Sequence, residues 1–487
     1  MGFIKLISRA KYLIAAAVIC IIFTTCLSAG GSGEQAVIIT IDTDTKFQYV
    51  RGFGGMEVGW GNFPRTYTHD TELMYNPDTG LGLNILRIMI MPQNTDINIT
   101  MRDLVSSTRP DYYENVKIVN KYGGYVLASP WSPPAAWKSN NSLLGNGRLL
   151  SRHYQDYANY LKAFAQNMYD NGAPIYAISI QNEPNFEASY DGCLWSPQDK
   201  RDFFLQNGRF TEGVKGFGAG QEIDSVRTMG GTSANNPNIY DAALSNPQSR
   251  AAIDIVGRHT YGNRQIRYAR ALDHPTDPKE VWMTEHNINS GNANGYPNDS
   301  TWDYVWKLLN DIDLSIRLND ESTFIWWAAK RFYSFIGDGQ WETTESVILP
   351  RGYAISHYAK FAKETYRVGL TATGKMADGG GISSYNFNTR VDAVNGITAR
   401  ATAFVSPDGN TISIVMFTPT NVNGTDGVNM GNVIIRLPED FIIREASAMR
   451  SSRDNYAVLE DVEILGDKNS AAVKMPEGHI LSIRFER

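Results

Sequence analysis

The chain has 487 residues, a formal net charge of −6, 42% hydrophobic and 20% charged residues, the proportions of a folded globular protein of one large or two medium domains. No Lys/Arg run is interleaved with aromatics, so nucleic acid is not an expected partner. With only Cys20, Cys26 and Cys193 there is no disulfide framework, and stability must come from the core. Aromatic residues make up 11% of the chain, and several tryptophans fall in loops or at strand ends, where flat rings can stack on sugars.

In chain order, Lys5, Arg9 and Lys11 come first, then the apolar run Tyr12 to Phe23 and the small-residue stretch Ser28 to Gly33. This is the order of an export signal, assigned here to residues 1–28, and the apolar run is short for a membrane span. Cys26 stands just after it, as in bacterial lipoproteins, although "FTTC" has threonines where smaller residues are usual. A secreted or cell-surface protein is expected, monomeric, with Cys26 as the candidate lipid anchor.

After "AVIITIDTDTKFQYV", which alternates like two short strands, eight short apolar runs follow at residues 49–56, 85–91, 125–131, 175–184, 227–234, 253–262, 280–286 and 323–330. Amphipathic helices lie between several of them. In "SRHYQDYANYLKAFAQNMYDNG", Tyr154, Tyr157, Leu161, Phe164 and Met168 recur at helical spacing and Gly172 closes the helix. Eight such βα units predict an α/β fold, a (β/α)8 TIM barrel, over residues 49–365. "RGFGG" lacks the Lys-Ser/Thr of a phosphate loop and reads as a tight turn at the first strand. From about Gly369 the pattern becomes all β, with a hairpin signal at Ser406–Asn410. Residues 36–48 plus 366–487 are therefore expected to form a β-sandwich built from both chain ends and fixed to the barrel.

Within "YAISIQNEPNF" a buried strand ends in Asn182, Glu183 and Pro184, and within "EVWMTEH" another ends in Glu285. Strand ends at one mouth of a barrel are where catalytic groups collect. Two carboxyl groups about 5 Å apart suit double-displacement glycoside cleavage, in which one acid protonates the leaving oxygen and the other attacks the anomeric carbon. Taken singly, either glutamate could be a turn former or an ion-pair partner. No His/Cys/Asp spacing resembles a metal site, the seven histidines do not cluster, and no cofactor is expected.

The motifs "ISIQNEP", "VWMTEH", "SPWSPPAAWKSNNSL", "VGRHTYG", "WWAAKRFYS" and "RGYAISHYAKF" resemble, in this order, glycoside hydrolase family 30, most nearly its bacterial glucuronoxylanase branch. The resemblance implies a retaining mechanism with Glu183 as acid/base and Glu285 as nucleophile, acting on a polysaccharide.

Roles for the neighbours follow. Asn182 can hydrogen-bond the sugar 2-hydroxyl, or cap its strand. Arg87, a cation inside an apolar strand, needs a carboxylate, and Glu285 is the natural one, with a structural pair elsewhere as the alternative. Tyr261 can donate to Glu285, and core packing is open for it and for His259. Trp131, Trp137, Trp195 and Trp327 are candidate sugar platforms. Trp326 and Trp327 point to opposite faces of a strand, so one is core, and Trp326 is taken as the substrate-facing one. Arg331 and Tyr333 align with positions where the branch recognises its uronate side group, with Arg331 as a structural cation the alternative. The loops "NINSGNANGYPND" and "GDGQWETTESVILP" depart from that branch.

The leading function is cleavage of plant cell-wall polysaccharide, as an endo-β-1,4-xylanase on (glucurono)xylan. A β-glucosidase or glucosylceramidase-like enzyme, a β-1,6-glucanase or a galactanase shares the mechanism. A non-catalytic carbohydrate-binding surface protein is the alternative from another class.

Overall fold

The computed structural model describes residues 36–58, 61, 63–92, 94–261, 265–288, 301–375, 381–386, 400–420 and 429–487. Residues 1–28, expected to be an export signal, with Cys20 and Cys26, and most of "NINSGNANGYPND" lie outside the described residues. Among the described residues no helix is long and apolar enough to cross a membrane.

Eight parallel strands close into a barrel: Gly52–Met56, Ile85–Ile90, Tyr125–Pro130, Ala177–Ser179, Arg227–Ala234, Ile255–His259, Glu280–His286 and Thr323–Trp326, in that order around the wall. They are buried nearly throughout, as strands covered on both faces must be. Helices such as Tyr154–Asp170 cover the outside, turning Tyr157, Leu161, Phe164 and Met168 inward. Inside, Ile85, Tyr125, Leu127, Met229, Ile255, Trp282 and Ile325 form a packed layer. At the N-terminal end Arg51 sits against the Tyr125 and Tyr176 rings, 5.1 and 5.2 Å from their centres. Its Nε donates to Glu280 Oε2 at 2.9 Å, which sets Arg51 in an ion pair beneath the layer.

The "RGFGG" segment is the first strand itself rather than a turn. A Cβ on Gly54 would lie 1.7 Å from the Ile85 carbonyl oxygen, so the second strand can pair this closely only with glycine there.

Among the described residues, eleven further strands form one curled sheet, and Gly216–Gly218 pairs with Gln221–Ile223 in a separate two-stranded one. Residues 37–50 make one strand with two register shifts, not two short ones, and it lies between Thr365–Lys375, antiparallel, and Gly431–Arg436, parallel. The N-terminal strand is thus locked into the middle of a sheet otherwise built by the last third of the chain. Arg400–Val405 and Thr411–Thr418 pair as the expected hairpin.

Helix Pro350–Phe361 joins the two parts. Its His357 is fully buried, with Nδ1 2.8 Å from Ser482 Oγ and Nε2 2.9 Å from Ser451 Oγ, both on the sheet. Burial, with the Arg450 and Lys360 charges adding to it, pushes the ring down to about 3, so the imidazole is held neutral. The folded-state value lies below that of the unfolded chain, so this contribution is whole above about pH 6.5 and is lost as the pH falls from there. Between pH 7 and 5 the linkage amounts to about 2 kcal/mol. Thermal melts of wild type and His357→Gln should therefore converge as the pH falls from 7 to 5; a constant gap would show that His357 is not the coupled group.

Candidate active site

Arg87 organises the C-terminal mouth. It projects from the second strand, is wholly buried, and its Nη1 donates to Glu285 Oε2 at 2.5 Å and to the Thr284 carbonyl at 3.2 Å. Nη2 donates to Asn182 Oδ1 at 2.6 Å, and the guanidinium lies 4.9 Å from the centre of the Trp131 ring. One cation thereby ties together side chains of the second, fourth and seventh strands, and its acceptors offset the desolvation of burying it.

The fourth strand ends at Ser179, and the chain then leaves regular geometry. Asn182 keeps one bridge to Thr232, and the Glu183 N–H donates to the Thr232 carbonyl at 2.8 Å. Glu183 has φ 44°, the left-handed region, which a non-glycine residue adopts at a cost of about 1–2 kcal/mol. Such strain persists only where surrounding contacts enforce it. Behind it Lys200, fully buried, donates Nζ to the Gly230 carbonyl at 2.5 Å, and Tyr240 donates to the Gly231 carbonyl at 2.8 Å. Burial lowers Lys200 to about 7. These two side chains of the outer layer hold the fifth-strand irregularity that presents Thr232.

Glu183 and Glu285 are 9% and 7% exposed, enough to reach a ligand while shielded from bulk water. An oxygen of each carboxylate and a ring nitrogen of His259 lie within 4.8 Å of one another. His259 Nδ1 is 3.0 Å from Glu183 Oε1, and its Nε2 is 3.7 Å from Glu285 Oε2. Tyr190 donates to Glu183 Oε2 at 2.5 Å, and Tyr261 to Glu285 Oε1 at 3.0 Å. Burial pushes the Glu183 carboxyl up, but hydrogen bonds from His259 and Tyr190, with the charges of His259 and Arg87, outweigh it and hold the carboxyl below its ordinary value. Both phenols are pushed up, chiefly by burial and then by the carboxylates they face. Among the described residues these same three side chains are the group whose donor atoms come close enough to hold a metal ion, but the guanidinium of Arg87 already supplies the cation at Glu285.

Of the residues named from sequence, Asn182, Arg87, Trp131 and Tyr261 join the two glutamates. Trp326 does not. It is fully buried against His286 and Phe335, with Arg351 over its ring at 5.5 Å, and so faces the outer helices. Trp327 takes the opposite face, half-buried, 6.0 Å from Trp131 and 5.5 Å from Phe63. Trp137 packs on His153 and Tyr160, and Trp195 is buried against Tyr154 and Phe203, which makes both part of the packing around helix Tyr154–Asp170. Tyr333 is buried, and burial with the Asp338 and Glu285 charges pushes it up to about 12 against the opposing pull of Arg331 and Arg351. Arg331 Nη1 lies 3.2 Å from Asp338 Oδ2, whose side chain is fully buried. Tyr190 and the bridging position of His259 were missed; both depend on contacts between distant strands and loops that no local pattern encodes.

Residues 73–313 match the glycosyl hydrolase family 30 TIM-barrel domain. These residues form a domain of this family, one of retaining glycoside hydrolases. It is 25% identical over 464 residues to glucuronoxylanase XynC of Bacillus subtilis (strain 168), covering 92% of this chain and 91% of that one. It is 26% identical over 199 residues to lysosomal acid glucosylceramidase of Mus musculus, covering 35% and 39%. Among solved structures, the family 30 subfamily 8 xylanase Xyn30A of Clostridium acetobutylicum superposes with a TM-score of 0.70 at 24% identity, covering 92% of this chain and 99% of that one. The endo-β-1,6-glucanase BT3312 superposes at 0.60 with 17% identity, covering 94% and 96%.

Removing the guanidinium from this family 30 site leaves a buried carboxylate uncompensated. Arg87→Met is expected to destabilise the fold by about 3–5 kcal/mol in urea unfolding, and adding Glu285→Gln to restore part of the loss. Additive losses in the double variant would show that the two side chains are not energetically coupled.

Proposed function

We propose that the protein is a retaining endo-β-1,4-xylanase, exported to the medium or the cell surface, with Glu183 as acid/base and Glu285 as nucleophile. The observation that carries this is the pair of carboxylates within 4.8 Å at one barrel mouth, the separation at which the second carboxylate attacks carbon directly instead of through a water. The xylan assignment draws on the glucuronoxylanase relative, which is similar over nearly the whole of both chains.

In the first step Glu183 gives its proton to the glycosidic oxygen while a Glu285 oxygen attacks the anomeric carbon, forming a glycosyl ester and releasing the leaving chain. In the second, Glu183 takes a proton from water, whose oxygen attacks the anomeric carbon and breaks its bond to the Glu285 oxygen, which frees Glu285 as a carboxylate. Arg87 and Tyr261 both donate to Glu285 and aim its carboxylate. Asn182 Oδ1 is taken by Arg87 and by Thr232 Oγ1 at 3.3 Å, which turns its amide nitrogen toward the sugar 2-hydroxyl, and that nitrogen has no hydrogen-bond partner among the described residues. His259 Nδ1 stands 3.0 Å from Glu183 Oε1, beside the carboxyl that gives and takes the proton.

Uronate dependence receives little support. Arg331 faces a buried aspartate, so a substrate carboxylate arriving there would meet Asp338 as well as the guanidinium. The enzyme is therefore expected to cleave undecorated xylan chains as well as glucuronate-bearing ones.

The test is release of reducing ends from xylan, β-1,6-glucan, galactan and aryl glycosides, with the anomeric configuration of the first product followed by NMR. Xylan cleavage with retention is expected, and Glu285→Gln should abolish it without unfolding the protein. Inversion would overturn the mechanism, and preference for another polymer the substrate. A lack of hydrolysis with retained polysaccharide binding would favour the non-catalytic reading. Tyr190→Phe removes a hydrogen bond that favours the Glu183 carboxylate, so the alkaline limb of the kcat/KM profile should move to higher pH. An unmoved limb would mean that Glu183 is not the group titrating there.

A further inference from the structure

The segment after the eighth strand departs from the pattern of the glucuronoxylanase branch, and the structure gives it a definite shape. Its base is closed by Gly337 N–H to the Val347 carbonyl at 2.9 Å and Ser346 N–H to the Gly337 carbonyl at 3.0 Å. Arg331 pins it through buried Asp338, Lys330 Nζ reaches Glu345 at 3.2 Å, and Thr343 Oγ1 donates to the Gln340 carbonyl at 2.7 Å. At its tip Trp341 and Glu342 both have left-handed backbones, φ 49° and 65°, which L side chains adopt only under constraint. This anchored, strained turn holds an indole that is 41% exposed, which is unusual for so large an apolar group.

The exposed ring is not isolated. Trp341 lies 6.0 Å from Phe332, which lies 5.0 Å from Tyr333. A second path returns through Arg331, whose guanidinium stands 5.2 Å from the Phe63 ring and 5.4 Å from that of Phe332. Phe63 meets Trp327, Trp327 meets Trp131, and Trp131 carries Arg87. A strip of ring and guanidinium contacts thus leads from Glu285 through Arg87, Trp131, Trp327, Phe63, Arg331 and Phe332 to Trp341.

We propose that Trp341 is the outer platform of an extended sugar-binding cleft, stacking a pyranose ring of the polysaccharide several units from the bond being cut. The occupant is a polysaccharide chain because the strip continues the site where that chain would be cleaved, and because a pyranose offers a flat C–H face to an indole while its rim hydroxyls stay in water. The inference rests on the glycosidase reading.

Two measurements test it. With wild type and Trp341→Ala, kcat/KM is measured on polymeric xylan and on the shortest xylo-oligosaccharide cleaved. The loss on the polymer should exceed that on the oligosaccharide by about tenfold, mainly through KM, and Trp341→Phe should recover most of it. Equal losses would assign Trp341 a structural role and overturn the platform, as would no loss. Independently of catalysis, Glu285→Gln and Glu285→Gln/Trp341→Ala are run in native gels containing xylan. Retardation that disappears with Trp341 supports the platform even if hydrolysis fails, whereas retardation unchanged by the second substitution, or none at all, overturns it.

Discussion

A buried guanidinium is the constraint on which the site depends. Arg87 sits in "ILRIMI", between residues that exist to fill a barrel wall, and a charge there is tolerable only if acceptors reach it from other strands. The acceptors are the Glu285 carboxylate, the Thr284 carbonyl and the Asn182 amide oxygen. Each must arrive at a fixed position for the cation to be satisfied, so folding of the barrel and assembly of the carboxylate cluster become one event. A single side chain that must find three partners converts a generic packed scaffold into a preorganised site, the condition for electrostatic stabilisation of a charged transition state.

The strain at Glu183 follows from the same geometry. A regular fourth strand would carry Gln181, Asn182 and Glu183 alternately in and out, and could not give Asn182 to Arg87 while leaving the next side chain free for a ligand. The left-handed turn at Glu183 breaks the alternation. It is held from the front by Tyr190 and His259, and from behind by the Thr232 carbonyl, whose strand is fixed in turn by Lys200 and Tyr240. Lys200 is notable in this support. Its buried amine meets the Gly230 carbonyl oxygen and the Tyr240 ring, and burial lowers it to about 7.

Much of this architecture was legible in the sequence because the barrel is written in local terms. Each of the eight strands is a short apolar run bounded by polar residues, and both glutamates stand where such runs end. What failed to show depended on which way a local pattern faces. Alternation places Trp326 and Trp327 on opposite faces but does not say which face meets the helices, and the structure turns Trp326 outward under Arg351 and Trp327 toward Phe63 and Trp131. Trp137 and Trp195 lie in loops that fold back onto helix Tyr154–Asp170, so loop position did not imply exposure. Residues 37–50 read as two strands because their register shifts interrupt the pattern, and their partners lie more than 300 residues away.

Charge explains why the mouth needs both a histidine and two tyrosines beside a single arginine. Two carboxylates this close repel, and Arg87, in contact with Glu285, neutralises only one of them. A second fixed cation at Glu183 would work against the proton that an acid/base must hold under the proposed mechanism. The neighbour there is instead an imidazole, with His259 Nδ1 3.0 Å from Glu183 Oε1. Tyr190 and Tyr261 complete the arrangement as neutral donors, since burial and the facing carboxylates keep both phenols protonated. The asymmetry between the two glutamates, one against a guanidinium and the other against an imidazole, is what would let chemically identical side chains take different parts in the proposed reaction.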